Sequence, residues 1–144
     1  MLIETERLVL RPLAMSDLDE FVALHHDPEV VRFVRTLDRA QAEERLRANE
    51  REWGERGHGL FAIHDRLGGR LLGRVGLKYW PQFQETEAGW LLDRDAWGQG
   101  YATEAAEAGF ADCEARRIAF APQSGRLLYP MAVDPQCSRN GACG

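Results

Sequence analysis

The sequence lacks a long apolar run, has few cysteines and carries no basic excess. No stretch approaches the roughly 20 apolar residues that a membrane-spanning helix requires, so we expect no membrane span. The 144 residues include 18 Lys and Arg against 23 Asp and Glu, a formal net charge of −5. This charge argues against broad nucleic-acid binding, which needs a basic surface.

The three cysteines, Cys113, Cys137 and Cys143, are odd in number and have no paired spacing. They predict reduced thiols in a cytoplasmic protein rather than a disulfide framework or a zinc site, and we expect no bound metal. His25 and His26 have no ligand partners nearby in sequence, and the end of a helix suits them better. The N-terminus leads directly into a charged segment, so no secretory signal is expected.

The length predicts one domain over residues 1–144, with no repeat or linker. In its first half, alternating leucines at positions 8 and 10 predict a strand over 7–12 that ends at a proline. Ser16 offers a helix cap, and Asp27-Pro28 predicts the start of a second, short helix. Asp38 and Gln41 have capping-box spacing and predict a third helix, whose apolar side includes Ala42, Leu46 and Trp53.

The middle of the chain predicts three antiparallel strands, over 57–64, 71–80 and 85–93. Leu60 and Ala62 should face one side and Phe61 and Ile63 the other, whereas Leu71 should share a face with Val75, Leu77 and Tyr79. Gly73 and Gly76 indicate a bulge or the close approach of another element. A helix over 103–118 then crosses to a strand over 126–133, which should lie parallel to the strand over 85–93.

Residues 97–104, WGQGYATE, lie between a predicted strand and a predicted helix. Glycine allows a curled backbone whose N–H groups point one way, and the helix start adds unpaired N–H groups and a positive dipole end. Together they predict an anion site suited to phosphate. The loop has neither the Lys-Ser/Thr ending of a P-loop nor the spacing of a dinucleotide fold. A tight turn without a ligand is the alternative.

Residues 97–102 also resemble the pyrophosphate loop of the GNAT acyltransferases, Gln/Arg-x-x-Gly-x-Gly/Ala, with Trp97 at the Gln/Arg position. The run WGQGYATEA is similar to the subgroup that includes the RimJ/RimL-type ribosomal-protein N-terminal acetyltransferases. Residues 4–13 (ETERLVLRPL) and 27–30 (DPEV) resemble two further signatures of that subgroup. The resemblance covers roughly residues 3 to 120 and is specific for the family but not for a substrate.

The resemblance implies an α/β (α+β) fold with a mixed, mostly antiparallel sheet flanked by helices. It weakens along the chain, and we expect an atypical tail from about residue 121. The family's Asn-x-x-Ser segment is not matched, since Cys137 and Asn140 stand at those positions. We expect the family's last helix and strand pair to be missing, because of either a truncated or frame-shifted end or a naturally short member of the family. The exposed sheet edge would then offer a route to a homodimer.

The resemblance implies an enzyme that moves an acetyl group from acetyl-CoA to a primary amine by direct attack. Trp90, Leu91 and Leu92 would line the pantetheine arm, and main-chain N–H groups in that stretch would polarise the thioester carbonyl. The diphosphate would lie on the loop and first helical turn, formed by Trp97, Gly98, Gln99, Gly100, Tyr101, Ala102 and Thr103. Glu104, at the helix start, would have to point away from the phosphates, towards the sheet edge or solvent.

Glu87 is the candidate general base, acting directly or through water, and an exposed strand residue with no such role is the equal alternative. Tyr129 and Ser138 are the candidates to protonate the departing thiolate. Cys113 is not expected to act as a nucleophile, because no histidine is placed in sequence to activate it.

The acceptor remains open between a small amine and a protein N-terminus. The acidic residues of the run over 43–52 form either a solvated helix face or an amine-attracting entrance. Two other functions stay open: an acyl-CoA-binding module with little turnover, because the terminal catalytic region is missing, and a nucleotide-binding protein that uses the same loop.

Overall fold

The computed structural model describes residues 1–32 and 34–120. Five strands form one sheet in the order β1 (Ile3–Glu4), β2 (Leu8–Pro12), β3 (Leu60–Asp65), β4 (Leu71–Trp80) and β5 (Glu85–Leu92). Every neighbouring pair is antiparallel. The predicted meander of three strands is confirmed. The predicted parallel strand over 126–133 lies outside the described residues.

Helices cover both faces of the sheet, as α1 (Leu18–Leu24), α2 (Arg39–Arg56) and α3 (Tyr101–Ala115). Alternation along β3 separates the two cores, as the sequence predicted. Phe61 and Ile63 join Leu8 and Leu10 in the core beneath α3. Leu60 and Ala62 belong to the other core, with the apolar residues of α1 and α2. This arrangement leaves α1 and α2 on one face and α3 on the other.

The β4 glycines allow neighbouring strands to approach closely. A Cβ atom at Gly73 would lie 2.1 Å from the carbonyl oxygen of Leu91, and one at Gly76 would lie 2.4 Å from that of Gly59. The pairing register of β3 and β4 also shifts between Ile63 and His64, near the turn that joins the two strands. This irregularity makes the predicted placement of Leu71 wrong, since Leu71 packs with the α1 and α2 core whereas Val75 packs beneath α3.

Local polar groups set the ends of the helices. The capping box of α2 is confirmed, because Asp38 Oδ1 accepts from Gln41 N–H at 2.8 Å and Gln41 Oε1 accepts from Asp38 N–H at 2.9 Å. Asp27 Oδ1 instead accepts from Glu29 N–H at 2.8 Å at the start of hydrogen-bonded turns, so the predicted short helix is wrong for the described residues 27–32. Ser16 lies inside a 3₁₀ turn and does not cap α1.

Asp17 is the buried centre of a polar network beside α1. Its carboxylate accepts from Arg11 Nη2 at 2.6 Å, from Arg11 Nη1 at 3.1 Å and from Ala14 N–H at 3.0 Å. His64 Nε2 lies 3.3 Å from Asp17 Oδ1. Burial opposes ionisation, but the bonds from His64, Arg11 and Ala14 outweigh it and lower the Asp17 pKa. The bond to Asp17 likewise raises the pKa of His64.

This network predicts a fall in stability above neutral pH. His64 has a folded pKa above 6.5, so its contribution is present below that value and is lost as the pH rises through the folded pKa. The Asp17 contribution is present above 3.8 and is lost only as the pH falls through its lower folded pKa. Urea unfolding at about pH 5 and about pH 8 should therefore show a decline in the wild type that His64→Gln lacks.

His58 provides the matched control. Burial lowers its pKa, so His58→Gln should retain the decline towards alkaline pH. Asp17→Asn should lower the free energy of unfolding by about 2 kcal/mol near pH 6, because it leaves Arg11 without its charged partner. An unchanged alkaline decline in His64→Gln would contradict the assignment.

Candidate functional site

The glycine loop joins the end of β5 to the start of α3. A 3₁₀ turn over Arg94–Ala96 leads into it, and α3 begins at Tyr101, two residues earlier than the sequence predicted. Gly98 and Gly100 have φ values of 75° and 78°, in the left-handed region that glycine adopts without a steric cost. The N–H groups of Tyr101 and Ala102 have no partner inside the helix, because they belong to its first turn. The loop thus has the two left-handed glycines and the helix start on which the predicted anion site depends, and anion binding itself stays a prediction.

The side chains of Trp97, Gln99 and Arg7 hold this loop by hydrogen bonds to main-chain carbonyl groups. The Trp97 indole N–H donates to the Leu92 carbonyl at 3.1 Å, and the Gln99 amide donates to the Asp95 carbonyl at 2.8 Å. Arg7 donates to the Gln99 carbonyl at 2.8 Å, and its guanidinium lies 4.2 Å from the centre of the Tyr101 ring. Trp97 and Gln99 therefore use their side-chain donors to hold the loop, and the N–H groups of Tyr101 and Ala102 at the helix start are the candidates to bind a ligand.

Glu104 points away from the loop towards β1 and β2, as expected. Its carboxylate accepts from Thr5 Oγ1 at 2.5 Å, from Arg7 N–H at 3.0 Å and from Arg7 Nε at 2.7 Å. Partial burial opposes its ionisation, but these bonds more than offset that effect and lower the Glu104 pKa. Arg7 thus offsets the negative charge at the helix start and holds the loop at the same time.

The end of β5 can offer a ligand main-chain atoms but few side chains. Leu91 and Leu92 are fully buried in different cores, Leu91 against Leu24 and Val30 and Leu92 beneath α3. Trp90 is partly buried against the α3 core. Within residues 1–32 and 34–120, β5 is an edge strand, so alternate main-chain groups point away from β4. The leucine side chains therefore pack into the two cores, and the lining role of Trp90, Leu91 and Leu92 stays a prediction.

Glu87 is buried within β5, with 5 % of its surface exposed, so the alternative of an exposed strand residue is wrong. It pairs with Lys78 of β4, and paired residues of neighbouring strands point to the same face of the sheet. Arg74 pairs with Leu91, whose side chain packs on the α1 side, so the alternation places Glu87 on that face. Its role as a base stays a prediction. Tyr129 and Ser138 lie outside the described residues.

Other reactive groups do not form a second site in the described part of the chain. Burial raises the pKa of the Cys113 thiol to about 11, which disfavours the thiolate that a nucleophile needs. Among the described residues, no three His, Cys, Asp or Glu side chains are grouped to hold a metal ion. None of the described helices combines the length and hydropathy that crossing a membrane requires.

Sequence reasoning missed two features of the site. Arg7 belongs to the segment over 4–13 that resembles the subgroup, but no local sequence pattern indicates that its side chain reaches the Gln99 carbonyl, 92 positions away. A cleft between α2 and β4 also brings together Arg45, Arg74 and Lys78. These cations are far apart in sequence, so only the alternation along β4 hinted that Arg74 and Lys78 share a face.

Comparison with known proteins identifies the family. Residues 7–125 match the acetyltransferase (GNAT) domain family. The uncharacterized protein YkkB of Bacillus subtilis strain 168 is 37 % identical over 114 residues, which cover 72 % of this chain and 63 % of YkkB. The chain thus spans less than two thirds of the length of that curated relative.

Solved structures agree on the fold. An acetyltransferase from Agrobacterium tumefaciens strain C58 is 31 % identical and superposes with a TM-score of 0.71 over 82 % of this chain and 70 % of that one. RimL, a ribosomal L7/L12 alpha-N-protein acetyltransferase solved in complex with coenzyme A, is 16 % identical with a TM-score of 0.66, over 83 % and 71 %. The chain therefore belongs to the GNAT acetyltransferase family and shares the fold of RimL.

Proposed function

We propose that this protein is an N-acetyltransferase, which moves the acetyl group of acetyl-CoA to a primary amine by direct attack. The observation that carries the proposal is the pair of left-handed glycines, Gly98 and Gly100, at the start of α3 and beside the edge of β5. Family membership and the fold shared with a coenzyme A-bound relative support it.

The residues fit the cosubstrate at both of its ends. A diphosphate needs N–H donors and no opposing carboxylate. The first turn of α3 would supply the donors, and the contacts of Glu104 with Arg7 and Thr5 support the second condition. An amide-rich pantetheine arm needs main-chain partners, which β5 would supply as an edge strand of the sheet that residues 1–32 and 34–120 form. When acetyl-CoA is bound, its thioester supplies an activated acyl group.

Glu87 would accept the proton that the amine loses. It lies on β5, five positions before the strand ends at Leu92, and its carboxylate is shielded from bulk water. As the carbon–nitrogen bond forms and the carbon–sulphur bond breaks, one proton passes to Glu87, directly or through water. Main-chain N–H groups around Leu91 and Leu92 would stabilise negative charge on the carbonyl oxygen. Tyr129 or Ser138 would return a proton to the thiolate.

The acceptor is an amine, either small or at a protein N-terminus. RimL is a ribosomal L7/L12 alpha-N-protein acetyltransferase, which makes a protein N-terminus one candidate. A panel of amines assayed by release of free thiol, with calorimetric titration of acetyl-CoA alongside, tests the function. Turnover of at least one amine supports the transferase. Binding without any turnover would instead identify a binding module, and stronger competition by ATP or NAD than by coenzyme A would indicate a nucleotide-binding protein.

Glu104→Gln tests how the loop is held. If Glu104 positions Arg7 and thus Gln99, the variant should bind coenzyme A about tenfold more weakly, a change of about 1.4 kcal/mol. If the carboxylate acted mainly by repelling phosphate, the variant would bind more tightly, which would contradict this role. Glu107→Gln is the matched control, because Glu107 is an exposed glutamate of the same helix, and calorimetry should show unchanged affinity.

A further inference from the structure

Lys78 is the only lysine among the 18 Lys and Arg residues of the sequence. A guanidinium stays protonated in proteins, whereas an ammonium can lose a proton and become a nucleophilic amine. Lys78 lies on β4 and lines both a cleft of about 420 Å³ between α2 and β4 and a neighbouring recess of about 330 Å³. Because Lys78 is partly exposed, the single side-chain amine of the chain can be reached from these recesses.

The surroundings of Lys78 favour its neutral, nucleophilic form. Burial lowers the pKa of Lys78, with Arg45 and Arg74 contributing and Glu52 opposing the shift. A desolvated lysine is a better nucleophile at neutral pH than an exposed one, because more of it is unprotonated. The ammonium lies 5.1 Å from the centre of the Trp80 ring, a weak contact that the flexible side chain can leave.

Lys78 also shares a face of the sheet with the proposed base. It is the register partner of Glu87, and Cβ atoms at such paired positions lie about 5 Å apart. The next pair on this face, Gly76 with Gly89, carries no side chains, and Leu91 follows it on β5.

The glycine pair gives the lysine side chain a path along the strands. Successive pairs on one face of a sheet are roughly 7 Å apart, and the four methylene groups of Lys78 can extend over one such step. The amine would then lie between the Glu87 carboxylate and the main-chain N–H groups around Leu91 that would polarise the thioester. An acceptor amine of the proposed reaction would occupy the same place.

We propose that Lys78 is a self-acetylation site, at which the enzyme transfers an acetyl group from acetyl-CoA to its own lysine. The inference rests on the proposed transferase function. The neutral Nζ atom attacks the thioester carbonyl, so that the carbon–nitrogen bond forms and the carbon–sulphur bond breaks. Glu87 takes the proton that the amine loses, and the electron pair of the broken bond leaves with the coenzyme A thiolate. Lys78 becomes an uncharged acetyl-lysine.

Mass spectrometry of the whole chain tests the modification directly. After incubation with acetyl-CoA and no added amine, we expect one acetyl group per chain, which peptide mapping should locate at Lys78 rather than at the N-terminal amine. The rate should saturate with acetyl-CoA and should not depend on protein concentration, because the amine and the cosubstrate are held in one molecule. Lys78→Arg keeps the positive charge and should remain unmodified.

Two further variants separate enzymatic from chemical acetylation. Arg47→Lys adds a lysine at an exposed position of α2 outside both recesses. Proximity should make Lys78 react at least about 100-fold faster than that added lysine in the same molecule. Glu87→Gln should slow the modification of Lys78 by about tenfold or more, because the amine then lacks its proton acceptor.

The amine panel distinguishes this inference from the proposed function. Turnover of added amines with Lys78 left unmodified would overturn the inference and leave the transferase function standing. Binding of coenzyme A with neither turnover nor modification would overturn both. Equal modification of Lys78 and the lysine added by Arg47→Lys, or a rate proportional to protein concentration, would indicate random chemical acetylation and would also overturn the inference. Saturable modification of Lys78 alone would uphold it.

Discussion

Replacing Gly100 by glutamate is expected to abolish measurable binding of coenzyme A. Gly100 precedes α3 with φ at 78°, a conformation that costs an L-residue roughly 1–2 kcal/mol. The added carboxylate would also stand among the N–H groups that should face the diphosphate. Together the two effects should weaken affinity by about 100-fold or more, roughly 3 kcal/mol. Calorimetric titration with coenzyme A measures the loss.

Gly69→Glu separates local strain from loss of the site. Gly69 has φ at 69°, and a Cβ atom there would meet nothing within 4 Å. It lies in the turn between β3 and β4, so the variant carries a similar backbone cost and the same added charge away from the loop. We expect it to lose stability but to bind coenzyme A normally. Unchanged affinity in a folded Gly100→Glu variant would refute the loop assignment.

Glu87→Gln is expected to lower kcat by about 100-fold to 1,000-fold and to leave coenzyme A affinity nearly unchanged. The amide keeps the size of the side chain in its buried position but cannot accept the proton of an attacking amine. Steady-state kinetics with the best acceptor, together with calorimetry, distinguishes these effects. The loss should shrink for an amine of low pKa, since less of that amine needs to be deprotonated.

Glu85→Gln is the matched control, because Glu85 lies two residues earlier on the same strand and on the same face. It should retain most of the activity. A structural role for Glu87 would lower stability and reduce turnover of all amines alike. Full activity in Glu87→Gln would remove this residue from the mechanism.

Much of the fold could be predicted because the signals are local. The Asp38 and Gln41 capping box, the alternation along β3 and the loop between β5 and α3 each depend on residues close in sequence. Gly76 is predicted to lie at a close approach, and the carbonyl oxygen of Gly59 lies only 2.4 Å from where a Cβ atom on Gly76 would be. These features follow from backbone sterics and hydrogen bonding alone.

The errors arose where tertiary contacts decide between local alternatives. The Asp17 carboxylate contacts Arg11, Ala14 and His64, and α1 begins after Asp17 rather than after Ser16. The register shift between β3 and β4 moves Leu71 to the opposite face from the one that simple alternation assigns. Neither the partner of a buried carboxylate nor a register shift has a reliable local sequence signal.

The residues of the candidate site also fall into those that a local sequence signal locates and those that it does not. The loop residues from Trp97 to Ala102 could be located from glycine spacing and family resemblance. The support from Arg7 and the cleft that Arg45, Arg74 and Lys78 line could not, because both depend on how distant segments pack. The expected roles of Tyr129 and Ser138 remain predictions.

The most direct test is an NMR titration that compares coenzyme A with pantetheine, which lacks the diphosphate. If main-chain N–H groups of the loop bind the diphosphate, coenzyme A should shift the amide signals of Gly98 and Gly100 strongly, and pantetheine should leave them in place. Saturable binding of coenzyme A that leaves both glycine signals unmoved would contradict the account.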